Sequence, residues 1–363
     1  MQAIARPGLR RTALPLLGNL FLLPPHLPAQ QVERYQVLGG EVAIYNLAGE
    51  IRLEPGSGPG VTAEVTRGGA DAAKIKVAQG EIDGHNTLRF IYPSDKIQYG
   101  KLTEGSSTQL RVREDGTFSD SHEDEKRRNE GRRVTIAARG GGLDAHADLR
   151  VTIPSGKQVD LYLAVGKVAI TNVEGNLSID VASAPVTSSN TRGELRIDVG
   201  SGAVQVTQSR GDLEIDTGSG AVAVSDVRGE SVSIETGSGE VTASNLRSND
   251  LSIDTGSGDI LVSSVISPKV SLETGSGAVS ADLSGEVWNV SVETGSGDVT
   301  LKVPPSLGAE VDIETSSGEI ETDFEVAVTR HARDHMTGRI GDGRGKIAIE
   351  TGSGAIKLVK SGG

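Results

Sequence analysis

From about residue 150 onward, apolar and polar residues alternate in short runs separated by small-residue turns. In "LEIDTGSGAVAV", Leu213, Ile215, Val222 and Val224 fall on one side, and Glu214, Asp216, Ala221 and Ala223 on the other. A period of two in aliphatic and β-branched residues predicts strands with one buried face. Close copies of this phrase place a turn serine at Ser201, Ser219, Ser238, Ser257, Ser276, Ser296, Ser317 and Ser353, separated by 18, 19, 19, 19, 20, 21 and 36 residues. The last gap is close to two periods and predicts an insertion before the final copy. Looser copies are "LSIDVASAPVTS" around Ser183, "VDLYLAVGKVAI" (159–170) and "IRLEPGSGPGVTAEV" (51–65). A second corner lies half a period away, at "TRG" (191–193), "SRG" (209–211) and "VRG" (227–229).

Each unit therefore reads as strand, T-G-S-G corner, strand, looser corner. Corners of constant length let coils stack in register, which predicts an all-β fold: a right-handed parallel β-solenoid, or single-stranded β-helix, with about 18–21 residues per coil. Gly218 and Gly220 are expected to supply the backbone freedom of the corner, including positive φ. The pairs Gly237 and Gly239, Gly256 and Gly258, Gly275 and Gly277, and Gly295 and Gly297 repeat that role. Gly256 is the test position: if its φ is positive, valine there should destabilise the fold.

Composition narrows the picture. The chain has no cysteine, which excludes disulfides, thiolate nucleophiles and thiolate metal sites. Aromatic residues make up 3%, and all five tyrosines (35, 45, 92, 99, 162) precede residue 163, as suits a narrow aliphatic core. The N-terminus reads as a signal peptide over 1–29: Arg6, Arg10 and Arg11, then the apolar "ALPLLGNLFLL", then Ala29 at a cleavage point. That apolar run is short for a membrane span, so no transmembrane segment is expected in the mature chain. Loss of the three arginines would move the formal charge from −13 to −16. Such an acidic chain is not expected to bind nucleic acid or an anionic membrane surface.

Two stretches break the period. Residues 30–150 read as an N-terminal solenoid part with a charged loop near 113–133, and 151–363 as the regular repeat with an insertion near 328–345. Long insertions in a solenoid project from one face and are common binding places. In the insertion, "HARDH" sets His331 and His335 four apart beside Asp334, a spacing that on a helix offers two imidazoles to a metal. His85, His122 and His146 are scattered. The corner serines have no nearby histidine and read as structural turns rather than nucleophiles.

The T-G-S-G phrases preceded by Asp or Glu resemble the bacterial putative-adhesin family of exported β-strand-repeat domains. The resemblance is also carried by "DLRVTIPSGKQVDLYLAVGKV" (148–168), "LKVPPSLGAEVDIETSSGEIETDF" (301–324) and "GRIGDGRGKIAIETGSGAIKL" (338–358), and covers about residues 36–360. It implies a right-handed β-solenoid of the cell envelope, with no catalytic residues to carry over.

An acidic residue precedes each corner: Asp180, Asp198, Asp216, Glu235, Asp254, Glu273, Glu293, Glu314 and Glu350. Stacked coils would gather them into one outward column whose mutual repulsion raises their pKa values. The column reads as a solvated face, or as a linear site for Ca²⁺ or a cationic partner. No other cofactor is expected. The function expected is non-enzymatic: an exported envelope protein, adhesin-like or structural, presenting a rigid acidic surface to a glycan or protein partner. The alternatives are a polysaccharide-active β-helix enzyme and a Ca²⁺-binding envelope protein. Trp288 is the sole tryptophan, whereas sugar subsites generally use aromatic platforms.

Overall fold

The structure, a computed structural model, describes residues 32–118 and 130–361. The leader read at 1–29, the centre of the charged stretch (119–129) and His122 lie outside the described residues.

Strands before the T-G-S-G corner form one parallel ladder. It runs through Gly175–Ser183, Leu195–Ser201, Leu213–Thr217, Ser231–Thr236, Asp250–Thr255, Lys269–Thr274 and Asn289–Thr294. Strands after the corner form a second: Val186–Ser189, Val204–Thr207, Val222–Ser225, Val241–Ser244, Ile260–Val265, Val279–Leu283 and Val299–Val303. Each of these strands pairs with its equivalent one coil away, never with the other strand of its own coil. This is a parallel β-solenoid, not a hairpin array. Like residues stack on like: Ile179, Ile197, Ile215, Ile234, Ile253 and Leu272 form one inward column, and all six are 1% exposed or less. Burying one such side chain contributes roughly 1.5–3 kcal/mol, and the strand ladder repeats the gain in every coil.

The corner works differently from the sequence expectation. The second glycine does take positive φ: 143° at Gly220, 151° at Gly239, 146° at Gly258, 155° at Gly277 and 151° at Gly297. The first glycine does not. Gly218, Gly237, Gly256, Gly275 and Gly295 lie outside the positive-φ region, which corrects the reading of Gly218 and Gly256. They are glycine because of close approach: a Cβ on Gly256 would stand 2.6 Å from the carbonyl oxygen of Gly237 in the preceding coil. The corner threonine points inward. Thr274 and Thr294 donate their hydroxyls to Gly258 and Gly277 of the preceding coil, each at 3.0 Å. In these coils the threonine thus closes a backbone acceptor inside an aliphatic tube, whereas the buried hydroxyls of Thr217 and Thr236 make no hydrogen bond among the described residues.

Both ends depart from simple stacking. At the N-terminal end, "VAIYNLAGEIRL" within the strand Glu41–Gly56 is the coil that pairs in parallel with Lys157–Thr171. The segment 51–65 is therefore not a coil. After the bend at 57–59 the chain turns back, and Gly60–Gly68 runs antiparallel to Val32–Leu38 and to His146–Pro154. At the C-terminal end, the last coil in sequence is not last in space. Gly345–Thr351 pairs in parallel with Asn289–Thr294 on one side and with Ala309–Thr315 on the other. The 36-residue gap holds a hairpin, Val326–His331 with His335–Ile340, whose second strand runs antiparallel to Ala309–Thr315. The insertion extends the sheet beyond the outermost coil instead of projecting as a loop.

Candidate functional site

The residue two places before each first corner glycine faces outward, because its neighbours on both sides face in. The ladder register aligns Asp180, Asp198, Asp216, Glu235, Asp254, Glu273 and Glu293, then Glu350, then Glu314. The order at the end is set by the displaced coil. From Asp216 to Glu314 these side chains are exposed, whereas Asp180 is buried. Glu235 is held above its ordinary value, first by partial burial and then by the carboxylates of Asp216 and Asp254 on either side.

The same column continues past Asp180 into Tyr162, Tyr45 and Arg89. The two tyrosine rings stack at 4.4 Å between centroids, 3° from parallel, and Phe118 meets Tyr45 edge-on at 5.9 Å. Burial pushes the Tyr45 hydroxyl up to about 12 and raises Tyr162 as well. Beside them Asp160 is 8% exposed and held above the usual carboxylate range by burial, opposed by His85. His85 Nε2 lies 3.5 Å from Asp160 and 3.6 Å from Glu41. The acidic column is thus open to solvent from Asp216 onward and runs through the buried Asp180 into aromatic rings at one end.

Among the described residues, no three His, Asp or Glu side chains converge as a metal site. The ladder explains this. It sets carboxylates in a line at strand spacing, ~4.8 Å, whereas Ca²⁺ collects six or more oxygens around one point at ~2.3–2.6 Å. The "HARDH" histidines are likewise not on a helix. His331 ends one strand of the edge hairpin and His335 begins the other; His335 Nε2 lies 2.9 Å from Asp312 Oδ1.

A second column was not anticipated. At the looser corner, single-residue parallel bridges join Glu174, Arg192, Arg210, Arg228, Arg247 and Ile266. Four exposed arginines therefore stack one per coil, flanked two residues on by Glu194, Asp212 and Glu230. Arg192, Arg210 and Arg228 are the central residues of the corners "TRG", "SRG" and "VRG", 18 residues apart, and Arg247 follows 19 residues on in "LRS". Two residues before each bridge, Asn172, Asn190, Gln208, Asp226, Asn245 and Ser264 take left-handed φ of 53–58°. Asn and Asp tolerate that region, and Asn190 Nδ2 donates to Asn172 Oδ1 at 2.6 Å. Alternation alone could not show these, because all but Ser264 lie outside the strands.

A family model described as Toastrack DUF4097 matches residues 101–359. No curated protein matches the sequence. Among solved structures, the chain is similar to a putative adhesin from Parabacteroides distasonis at 11% identity and TM-score 0.41, covering 91% of this chain and 95% of that chain. A putative adhesin from Parabacteroides merdae gives the same values. One from Bacteroides fragilis gives 10% identity and TM-score 0.37, covering 91% and 98%.

Proposed function

The chain belongs to the Toastrack DUF4097 family, whose model matches residues 101–359, and on that premise we propose that it is an exported, non-catalytic envelope protein that binds through its repeated faces. Export rests on the basic, apolar and small-residue order of residues 1–29. The observation that carries binding is the acidic rail, one exposed carboxylate per coil from Asp216 through Glu293, Glu350 and Glu314. A rail of one charge per coil fits an extended partner that carries cationic groups at a regular repeat. Charges set in a line, each serving one coil, suit multivalent contact better than chemistry at a single point.

One observation favours a structural reading beside it. The arginine rail, on single-residue bridges at the looser corner, and the acidic rail, on the strand ladder, each recur once per coil, so they share one pitch with opposite sign. Copies of the chain lying side by side would meet rung for rung.

The test uses the full chain and the variant Asp216→Asn/Glu235→Gln/Asp254→Asn. We expect wild type to retain a component of envelope extract at low salt, to lose it near ~0.5 M salt, and the variant not to retain it. Equal retention by the variant overturns the acidic rail as the binding face. Sizing of the purified protein at the same two salt concentrations reads self-association. A larger species at low salt that is absent from the variant selects the structural reading.

A further inference from the structure

We propose that the cleft beside Trp288 is a binding subsite for one or two rings of a neutral glycan. The cleft exists because the last coil is threaded out of order. Between the strands Val299–Val303 and Ala309–Thr315 the chain meets the start of Gly345–Thr351, where the Gly345 N–H donates to the Gly308 carbonyl at 2.8 Å. What remains is a hollow of about 500 Å³ lined by Trp288, Pro304, Leu307, Asp342 and Arg344. That size lies within the usual range for small-ligand sites, roughly 300–1,000 Å³.

Trp288 is 61% exposed, the most open of the large apolar side chains among the described residues. Its backbone is fixed: its N–H donates to the Pro268 carbonyl at 2.9 Å, and its own carbonyl accepts from Lys346 at 2.8 Å. Trp288 is thus anchored by its backbone immediately before the strand Asn289–Thr294, while most of its side chain stays exposed. In the same lining, Asp342 is held by its neighbour: Arg344 donates from Nε to Oδ2 at 2.5 Å and from its backbone N–H to Oδ1 at 3.3 Å. The carboxylate lies so close to Gly308 that a Cβ there would stand 1.9 Å from Oδ1. The Arg344 side chain is 85% exposed, so its outer N–H groups remain available.

A flat apolar platform in the same hollow as a fixed carboxylate and guanidinium fits a pyranose. One sugar face is rich in C–H and lies on an indole, while the ring edge carries hydroxyls that donate to the carboxylate and accept from the guanidinium. Charge favours a neutral sugar. Glu286 and Asp342 outnumber Arg344 in the lining, and the whole chain carries −13. A proline-rich peptide fits less well, because such segments dock in grooves lined by several aromatic rings, and this lining has one. The proposal does not depend on either charged rail.

Trp288 is the only tryptophan, so its emission reports on this cleft alone. The full chain is titrated with β-1,4-linked tetrasaccharides of glucose, mannose and N-acetylglucosamine, and with a galacturonate tetrasaccharide. Each is taken to about 10 mM, above the millimolar affinity expected of a small subsite. We expect a saturable change in Trp288 emission with at least one neutral sugar, insensitive to salt. By calorimetry, Trp288→Ala should abolish that binding, Trp288→Phe should keep it within about tenfold, and Arg344→Ala should weaken it by about tenfold or more. Melting of all three variants should match wild type. The Asp216→Asn/Glu235→Gln/Asp254→Asn variant should bind the sugar as wild type does, which separates this site from the rail. No emission change with any neutral sugar, binding of the galacturonate alone, or unchanged binding by Trp288→Ala each overturns the proposal.

Discussion

Gly256 and Gly258 stand two residues apart in one corner, and each must be glycine for its own reason. At Gly258 the backbone has φ +146°, and a Cβ would stand 2.2 Å from the Gly239 carbonyl oxygen. At Gly256 φ is ordinary, and only the 2.6 Å approach to Gly237 excludes a side chain. Gly258→Ala meets both obstacles and should cost about 3 kcal/mol or more, whereas Gly256→Ala should cost about 1–2 kcal/mol. Denaturant unfolding of the two variants checks the order, and equal costs would mean that φ contributes nothing at Gly258. The sequence reads "TGSG" at both places, so it shows that small residues are needed without showing why. Conformation and contact separate them, and contact depends on the coil below. The inward turn of Thr274 was hidden for the same reason: a polar residue is legible as buried only once its acceptor, Gly258, is in place.

At the scale of the element, the acidic rail is a property of the ladder rather than of any one carboxylate. Glu235 lies between Asp216 and Asp254 in register. Two unit charges at strand spacing in water repel by roughly 0.9 kcal/mol before screening, and at an exposed site salt leaves a few tenths. Partial burial and this repulsion raise the folded pKa of Glu235. The folded state then binds that proton more tightly than the unfolded state. The group's contribution to stability is complete below the ordinary glutamate pKa, ~4.3, and is lost as pH rises through the raised value. Glu235→Gln should therefore gain stability over wild type at pH 7 and lose that gain by about pH 4, in low salt, measured as a difference in melting temperature. Millimolar Ca²⁺ should shift neither protein, since the rail gathers no ion-sized cluster among the described residues. A Ca²⁺ shift in wild type that the variant lacks would restore the ion-binding alternative. The rail was legible because its residues sit inside the alternating strands. The arginine rail was legible only as spacing, since a single-residue bridge leaves no alternation to read.

For the whole molecule, the coil period was written plainly in the sequence, but the order of the coils was not. Every copy carries nearly the same phrase, so Ser353 fits above Ser296 as well as above Ser317. Only the long gap before the last copy hinted that the chain does something other than stack. The structure places the last coil inside. Gly297 and Val299 donate to Ser353 and Ala355, each at 2.9 Å, while Gly354 donates to Ser317 at 3.2 Å. The coil made last in the chain therefore bridges two coils made earlier, and this sets where damage spreads. Ile349 is 1% exposed and stands between Val292 and Ile313 in register; Ile313 is fully buried in the coil beyond it. Either residue changed to alanine removes a buried aliphatic group and should cost about 2–5 kcal/mol. Nearest-neighbour coupling in a solenoid then makes different patterns of hydrogen exchange. Ile349→Ala should speed exchange at Gly297 and Val299 and also loosen the outer coil 309–322. Ile313→Ala should loosen the outer coil and the edge hairpin while leaving Gly297 and Val299 protected. A stack in sequence order requires the reverse, with Ile313→Ala exposing both neighbours and Ile349→Ala fraying the last coil alone. That reversed pattern would show that the terminal coil does not lie between the two.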